Sequence, residues 1–188
     1  MSWHGGRRRT HAVAVGVVGV LSGVTGCSVV PVPEPSPPAP RADFQVRPVL
    51  RKAARLGCVV TLTPQPPDRR IAGCDESGRV VVWLGPAFVT EADVASASAA
   101  TTADGVPVVE VRLDSRGAVA LREASRRQVN LRPPKNEASI VTSGRVRASF
   151  PFREPVSGGA LEMHGFDSLQ EAEEFAAALV GATPTAPG

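Results

Sequence analysis

The chain has 188 residues, with 21 Lys+Arg, 18 Asp+Glu and no tyrosine. Residues 1–26 hold three of the basic side chains and none of the acidic ones, so residues 27–188 carry 18 of each and are formally neutral. That balance argues against nucleic acid as a partner, because phosphate binding needs a basic surplus on one face. Arginine outnumbers lysine 19 to 2, a bias that reads as composition rather than as a site.

The N-terminal 26 residues read as a secretory signal. Arg7, Arg8 and Arg9 precede an apolar run from Ala12 to Leu21, and small residues follow before a processing point. The run is shorter than the roughly 20 residues a membrane-spanning helix needs. Val24-Thr25-Gly26-Cys27 resembles the lipobox of bacterial lipoproteins: an aliphatic residue, small residues, then cysteine. The resemblance implies cleavage before Cys27, lipidation of its sulfur, and a mature protein anchored on the extracytoplasmic face of the cell membrane. The alternatives are an ordinary signal peptide with an incidental cysteine, or an uncleaved anchor. Residues 27–42 then form a tether with six prolines, at 31, 33, 35, 37, 38 and 40. Proline excludes helix and sheet interior and favours extended polyproline II, so the segment spans about 40–50 Å.

The folded region is expected over 43–180, with a disordered tail at 181–188. Phe44-Gln45-Val46-Arg47 alternates apolar and polar residues and reads as a strand that Pro48 ends. Val49 to Leu56 reads as a short helix or an irregular connection. Cys58 to Leu62 is β-rich, and Pro64 to Asp68 and Cys74 to Gly78 are turns by composition. Cys58 and Cys74 are the only other cysteines. Export to a non-reducing compartment favours a disulfide between them, two buried free thiols being the alternative. Neither has a CxxC neighbour, which speaks against a redox dithiol or a zinc site.

Arg79 to Leu84 is a valine-rich strand ended by Gly85-Pro86. Glu91 to Thr102 reads as a helical turn followed by a loop. Val106 to Leu113 is a strand with Val109, Val111 and Leu113 on one face and Glu110 and Arg112 on the other. Asp114 or Ser115 caps a helix over Arg116 to Gln128, with Ala118, Leu121 and Ser125 on its inner face. Ala138 to Thr142 and Arg145 to Phe150 read as a hairpin turning at Ser143-Gly144. Pro155 to Gly159 is a loop and Ala160 to Gly165 a strand. Ser168-x-x-Glu171 fits a capping box for a helix from Leu169 to Val180, with Leu169, Ala172, Phe175, Ala176 and Leu179 inward. The expected fold is α+β: one layered domain, a mostly antiparallel or mixed sheet with two amphipathic helices on one face.

These pieces resemble, in order, the head subdomain of the first large periplasmic domain of SecD, a subunit of the SecDF accessory complex of protein export. The similarity is carried by Cys74-Asp75-Glu76-Ser77-Gly78 leading to Leu84-Gly85-Pro86, by Thr90 to Ala99, and by Val109 to Leu121. It continues through the Asn136 to Ser149 hairpin, the Pro155-Val156-Ser157-Gly158-Gly159 loop and Gly165-Phe166-x-Ser168-x-x-Glu171-Ala172. The chain departs from the pattern at Arg145, where lysine is usual, and at Ser143, where aspartate is usual. SecD also carries transmembrane helices that hold the carboxylates of its proton pathway, and nothing after Cys27 reads as such a helix. The resemblance thus implies the fold and a role in holding an exported chain, without proton-driven translocation.

His164 is the only histidine after residue 26, so a catalytic triad or a histidine-based zinc site lacks partners. Asp75-Glu76 lacks the oxygen-rich loop calcium needs and reads as a solvated turn. Gly158-Gly159 is no phosphate loop, since no lysine-serine follows. Arg122, Arg126 and Arg127 read as a solvated helix face or a contact for anionic headgroups. No catalytic residue, metal or cofactor is assigned. The expected contact surface for an exported polypeptide, an envelope protein or Sec export components is the loop holding Phe150, Phe152, Arg153, Pro155, Gly158 and Gly159, with nearby strand edges. An envelope hydrolase with an unrecognised site and a purely structural lipoprotein are the alternatives.

Overall fold

The structure, a computed structural model, describes residues 41–55, 57–59 and 63–181. The signal, Cys27, nearly all of the tether and the tail after Gly181 lie outside the described residues.

The described residues form nine strands and two helices. They are β1 (Gln45–Ala54), β2 (Ile71–Cys74), β3 (Val80–Leu84), β4 (Val89–Thr90), a 3-10 turn (Glu91–Asp93), β5 (Val94–Thr101) and β6 (Pro107–Leu113). Then come α1 (Ser115–Gln128), β7 (Glu137–Thr142), β8 (Arg145–Pro151), β9 (Ala160–Met163) and α2 (Leu169–Val180). All pairings are antiparallel. The larger sheet has the order β2-β3-β1-β7-β8 with β4 added to β1, and the smaller runs β5-β6-β9. This is the expected α+β architecture, with the strands divided between two sheets.

Pro48 does not end the first strand. β1 runs through it because Pro48 stands where the strand changes neighbours: residues 45–48 pair with β7, and Val49 onward pairs with β3. The Pro48 carbonyl accepts from Gly85 N at 2.9 Å. A residue's N–H and C=O leave a strand on the same side, so the proton-less ring nitrogen faces the Gly85–Phe88 connection, where no ladder asks for a donor. Gly85 is required there, since a Cβ would sit 2.7 Å from Pro48 Cγ. The short helix considered for Val49 to Leu56 is therefore strand as far as Ala54.

The loop expected after the helical turn at residue 91 is β5. Its Val-Ala-Ser-Ala-Ser-Ala-Ala-Thr carries no alternation signal, and pairing with β6 decides the conformation. Small residues serve packing here: Ala97 and Ala99 let other elements approach the core closely. β2 was not visible in the sequence at all; its four residues include a glycine.

The two helices and the inner faces of both sheets enclose the main core. It joins Phe44, Val46, Ala138 and Ile140 from the larger sheet to Val109, Val111 and Leu113 from β6, Leu121 from α1, and Ala172, Ala176 and Leu179 from α2. A second, smaller cluster of Val49, Val82, Leu84, Val141 and Val146 fills the concave side of the larger sheet. That sheet curls until a Cβ on Gly73 of β2 would lie 3.0 Å from Val146 of β8. The β7–β8 turn has Ser143 at φ 49 and Gly144 at φ 75, the paired positive values of a two-residue type I′ hairpin. Asp114 caps α1 by accepting from Gly117 N, and Ser168 caps α2 by accepting from Glu171 N. The expected capping box at α2 is displaced by one residue, because Glu171 Oε2 accepts from Asp167 N rather than from the cap residue. Leu169 is 42% exposed, at the solvent rim rather than on the inner face.

Candidate functional site

The loop from Phe150 to Gly159 runs from β8 to β9 and lies against α1. Val156 N donates to Ser125 Oγ at 2.9 Å, and the Ser125 hydroxyl in turn donates to Arg122 O at 2.8 Å. Gly159 presses on the same helix: a Cβ there would fall 2.8 Å from Ala118 Cβ, and its carbonyl accepts from Leu113 N at 2.7 Å. Phe152 is 3% exposed and belongs to the core, stacked edge-on against Phe150 at 5.6 Å. The six loop residues singled out from the sequence thus divide. Arg153, Pro155 and Gly158 are exposed, Phe150 and Gly159 are half-buried, and Phe152 is buried. Ser125, which anchors the loop, was placed on the inner helix face by its spacing, but its hydroxyl's role was not legible.

A second feature escaped the sequence altogether. Arg47 is 0% exposed, although its position in the alternating run predicted an outward side chain. The chain between Pro66 and Arg69 folds over it. Its Nε donates to Gln45 Oε1 at 2.6 Å, Nη1 to Arg69 O at 2.7 Å and Gly85 O at 2.9 Å, and Nη2 to Pro66 O at 2.6 Å. A buried cation is held by carbonyl dipoles rather than by a carboxylate contact. Burial lowers its pKa, and Asp43 and Asp68 pull it back up. Asp43, at the entry to β1, is pushed above the usual carboxylate range chiefly by burial, against the backbone of Gly144. Its Oδ1 accepts from Gln45 Nε2 at 3.0 Å, while Oδ2 is buried without a hydrogen-bond partner among the described residues.

The start of α1 is latched to the 3-10 turn. Asp93 Oδ1 accepts from Arg116 Nε at 2.7 Å, Oδ2 accepts from Thr90 N at 2.8 Å, and Asp93 O accepts from Asp114 N at 2.8 Å. Gly117 lets the two segments meet, since a Cβ would lie 2.8 Å from Asp93 Cβ. The disulfide joins Cys58 to Cys74 with Cα atoms 5.8 Å apart, within the range such bonds require. It ties the chain beyond β1 to the end of β2.

The concave features are open clefts. One, of about 320 Å³, lies between β1 and the end of α1, walled by Val49, Leu50, Pro86 and Phe88 with Arg127 and Lys135 at its rim. Another of similar size holds Lys52, Asp75, Glu76 and Arg147 on the larger sheet. Neither is lined by a histidine or cysteine. Asp75 acts as a turn anchor. Its slight burial raises its pKa, but hydrogen bonds from Ser77 Oγ and the amides of Val80 and Arg79 outweigh this and leave it low. Glu76 sits 3.6 Å from Arg147, and exposed His164 lies 2.7 Å from exposed Glu162. Arg126 and Arg127 are exposed and Arg122 half-buried. Among the described residues, no group of three or more His, Cys, Asp or Glu converges as a metal site, and no helix is long and apolar enough to cross a membrane.

Comparison with known proteins places this architecture. The SecDF P1 head subdomain family matches residues 68–184. The chain belongs to that family. The protein translocase subunit SecDF of Thermus thermophilus is 33% identical over 96 residues, which are 51% of this chain and 12% of that protein. Two solved structures share the fold at 24% identity and a TM-score of 0.55, each covering 77% of this chain. One is described as a membrane component SecDF that enhances protein export, of which 64% is covered, and the other as SecDF in a super-membrane-facing form, of which 19% is covered. The chain therefore spans a small part of full-length SecDF. The family match begins at Asp68, so the Arg47 clamp lies on the N-terminal side of the matched segment and reaches into it at Arg69 and Gly85.

Proposed function

We propose that this chain is a lipid-anchored, non-catalytic head module on the extracytoplasmic face of the cell membrane, which holds an exported polypeptide or another envelope protein as an accessory to protein translocation. Membership of the SecDF P1 head family over residues 68–184 carries the reading. The lipobox-like Val24 to Cys27 supports a lipid anchor in place of the transmembrane helices of SecD. Open clefts that lack a nucleophile paired with a histidine base support a binding role over an envelope hydrolase. The exposed tip of the Phe150–Gly159 loop, at Arg153, Pro155 and Gly158, is the contact surface on this reading.

The test is photo-crosslinking in cells from a reactive group at position 153 or 157, with Cys27→Ala as the untethered control. Crosslinks to a translocating or envelope protein are expected from the tethered form and reduced in the control. Absence of crosslinks from both positions in the tethered form refutes the loop as the contact, and equal yield from the control refutes the anchor.

A further inference from the structure

Among the described residues five strand edges bound the two sheets, and four are guarded. β4 is only two residues long. β2 is four residues long and curls against β8. β8 carries Arg145 and Arg147 and ends in Pro151. β9 is also four residues long and carries Glu162. Short length, charge and proline are the usual means by which proteins keep a sheet edge from recruiting another strand. β5 has none of them. It is eight residues long, from Val94 to Thr101, without charge or proline, regular from Ser96 onward after a register shift at Ala95, and among the described residues it pairs only with β6.

The hairpin geometry says which backbone groups are free. Thr102 N donates to Val106 O at 2.9 Å, so Thr102 and Val106 form a hydrogen-bonded pair. Antiparallel ladders alternate, so in the register Ala100↔Val108, Ser98↔Glu110 and Ser96↔Arg112 it is Ser96, Ser98 and Ala100 of β5 that bond to β6. The N–H and C=O groups of Ala97, Ala99 and Thr101 therefore point away from the sheet. Among the described residues no backbone or side-chain hydrogen bond reaches them from outside. They span about 14 Å of strand. The outer face, at Ser96 and Ser98, is exposed.

We propose that the free edge of β5 docks an extended segment of another polypeptide by main-chain hydrogen bonding. The inference rests on the polypeptide-holding role above and gives it a second surface and a mode. A row of outward N–H and C=O groups is matched by an extended backbone and by little else. Serine and alanine side chains offer no pockets, so the edge reads the partner's main chain and not its sequence, which suits a succession of unrelated exported chains. The chain's own remaining segments fit poorly. Residues 28–40 contain six prolines and residues 182–188 two, and each proline removes a donor.

The test uses the full chain in detergent and a fluorescent eight-residue peptide of alternating valine and threonine, followed by anisotropy. A second peptide of the same sequence carries N-methyl groups on alternate amides, which keeps the side chains and removes the donors. The expected result is saturable binding of the first peptide and at least tenfold weaker binding of the second. Thr101→Pro and Ala99→Pro each remove one outward N–H and leave the bonds to β6, so each is expected to weaken binding severalfold, with the melting temperature little changed at exposed Thr101 and lowered at Ala99, which packs against the core. Should a proline variant fail to fold, the N-methyl comparison still decides. Equal binding of both peptides, or no effect of the prolines in folded variants, overturns the edge while leaving the polypeptide-holding role standing. Binding of neither peptide overturns both. Sedimentation that shows a wild-type dimer abolished by Thr101→Pro, with no peptide bound, overturns the proposal in favour of pairing between two copies.

Discussion

Arg47→Met is the sharpest test of how this domain is held together. Methionine fills much of the arginine volume but donates nothing, so four acceptors lose their partner: Gln45 Oε1, Gly85 O, Arg69 O and Pro66 O. The bonds to Gln45 and Gly85 are buried, and an acceptor stranded there costs about 1–3 kcal/mol. Those to Arg69 and Pro66 are partly buried, and water can replace the lost donor at lower cost. Sparing the desolvation of a guanidinium offsets part of the loss. The net expectation is a destabilisation of about 4 kcal/mol, or a fall of about 8–16 °C in Tm for a chain of this size. The assay is thermal and urea unfolding by circular dichroism, with hydrogen exchange read on residues 63–70. Those amides are expected to exchange faster in the variant even where the fold survives. Arg47→Lys keeps the charge but not the planar fork that reaches four oxygens at once, and is expected to lose about half as much. A variant within about 1 kcal/mol of wild type, or unchanged exchange over 63–70, would show that the carbonyl cage is not what fixes this segment.

Three further outcomes follow from local geometry. Replacing Cys58 and Cys74 by serine opens a loop with a sequence separation of 16 and is expected to cost about 3 kcal/mol, read as a lower Tm that reduction of the wild type reproduces. Gly159→Ala forces a Cβ to 2.8 Å from Ala118 and is expected to cost about 1–3 kcal/mol in urea unfolding, whereas Gly158→Ala meets nothing within 4 Å and should stay within about 0.5 kcal/mol of wild type. Asp43 has its pKa raised by burial, so the native state binds its proton more tightly than the unfolded chain does, and stability falls as pH rises from the unfolded pKa near about 4 through the higher folded value. Asp43→Asn is therefore expected to be more stable than wild type at pH 7, with the advantage gone below about pH 4. A difference that stays constant across that range would refute the assignment.

Local chemistry was the legible part of this fold. The type I′ turn at Ser143-Gly144, the caps at Asp114 and Ser168 and the alternating β6 each follow from interactions within a few residues. What failed was set by distant neighbours. Pro48 looks like a stop until the change of partner from β7 to β3 is known. β5 looks like a loop because alanine and serine carry no strand signal, and β6 supplies the ladder. Gln45 and Arg47 alternate with Phe44 and Val46 as though facing water, yet both are buried because the Pro66–Arg69 segment covers that side. The candidate loop was found by its family-like motif, but Phe150 and Phe152 could not be told apart until one proved to belong to the core.

Three glycines in the motifs that relate this chain to SecD mark close approaches. Gly85 meets the Pro48 ring, Gly117 meets Asp93, and Gly159 meets Ala118, each at a distance that excludes even a methyl group without movement. At all three, irregular chain meets a strand or helix, and adding a side chain would push the two apart. Such positions specify how β1, the 3-10 turn, α1 and the 150–159 loop are locked together, and they place no demand on what the exposed surface touches. Arg153 and Pro155 at the loop tip and Thr101 on the β5 edge are exposed and carry no such constraint. Substitutions there are therefore expected to alter binding at nearly constant Tm, and substitutions at the three glycines to lower Tm. The two kinds of variant separate what the domain is from what it holds.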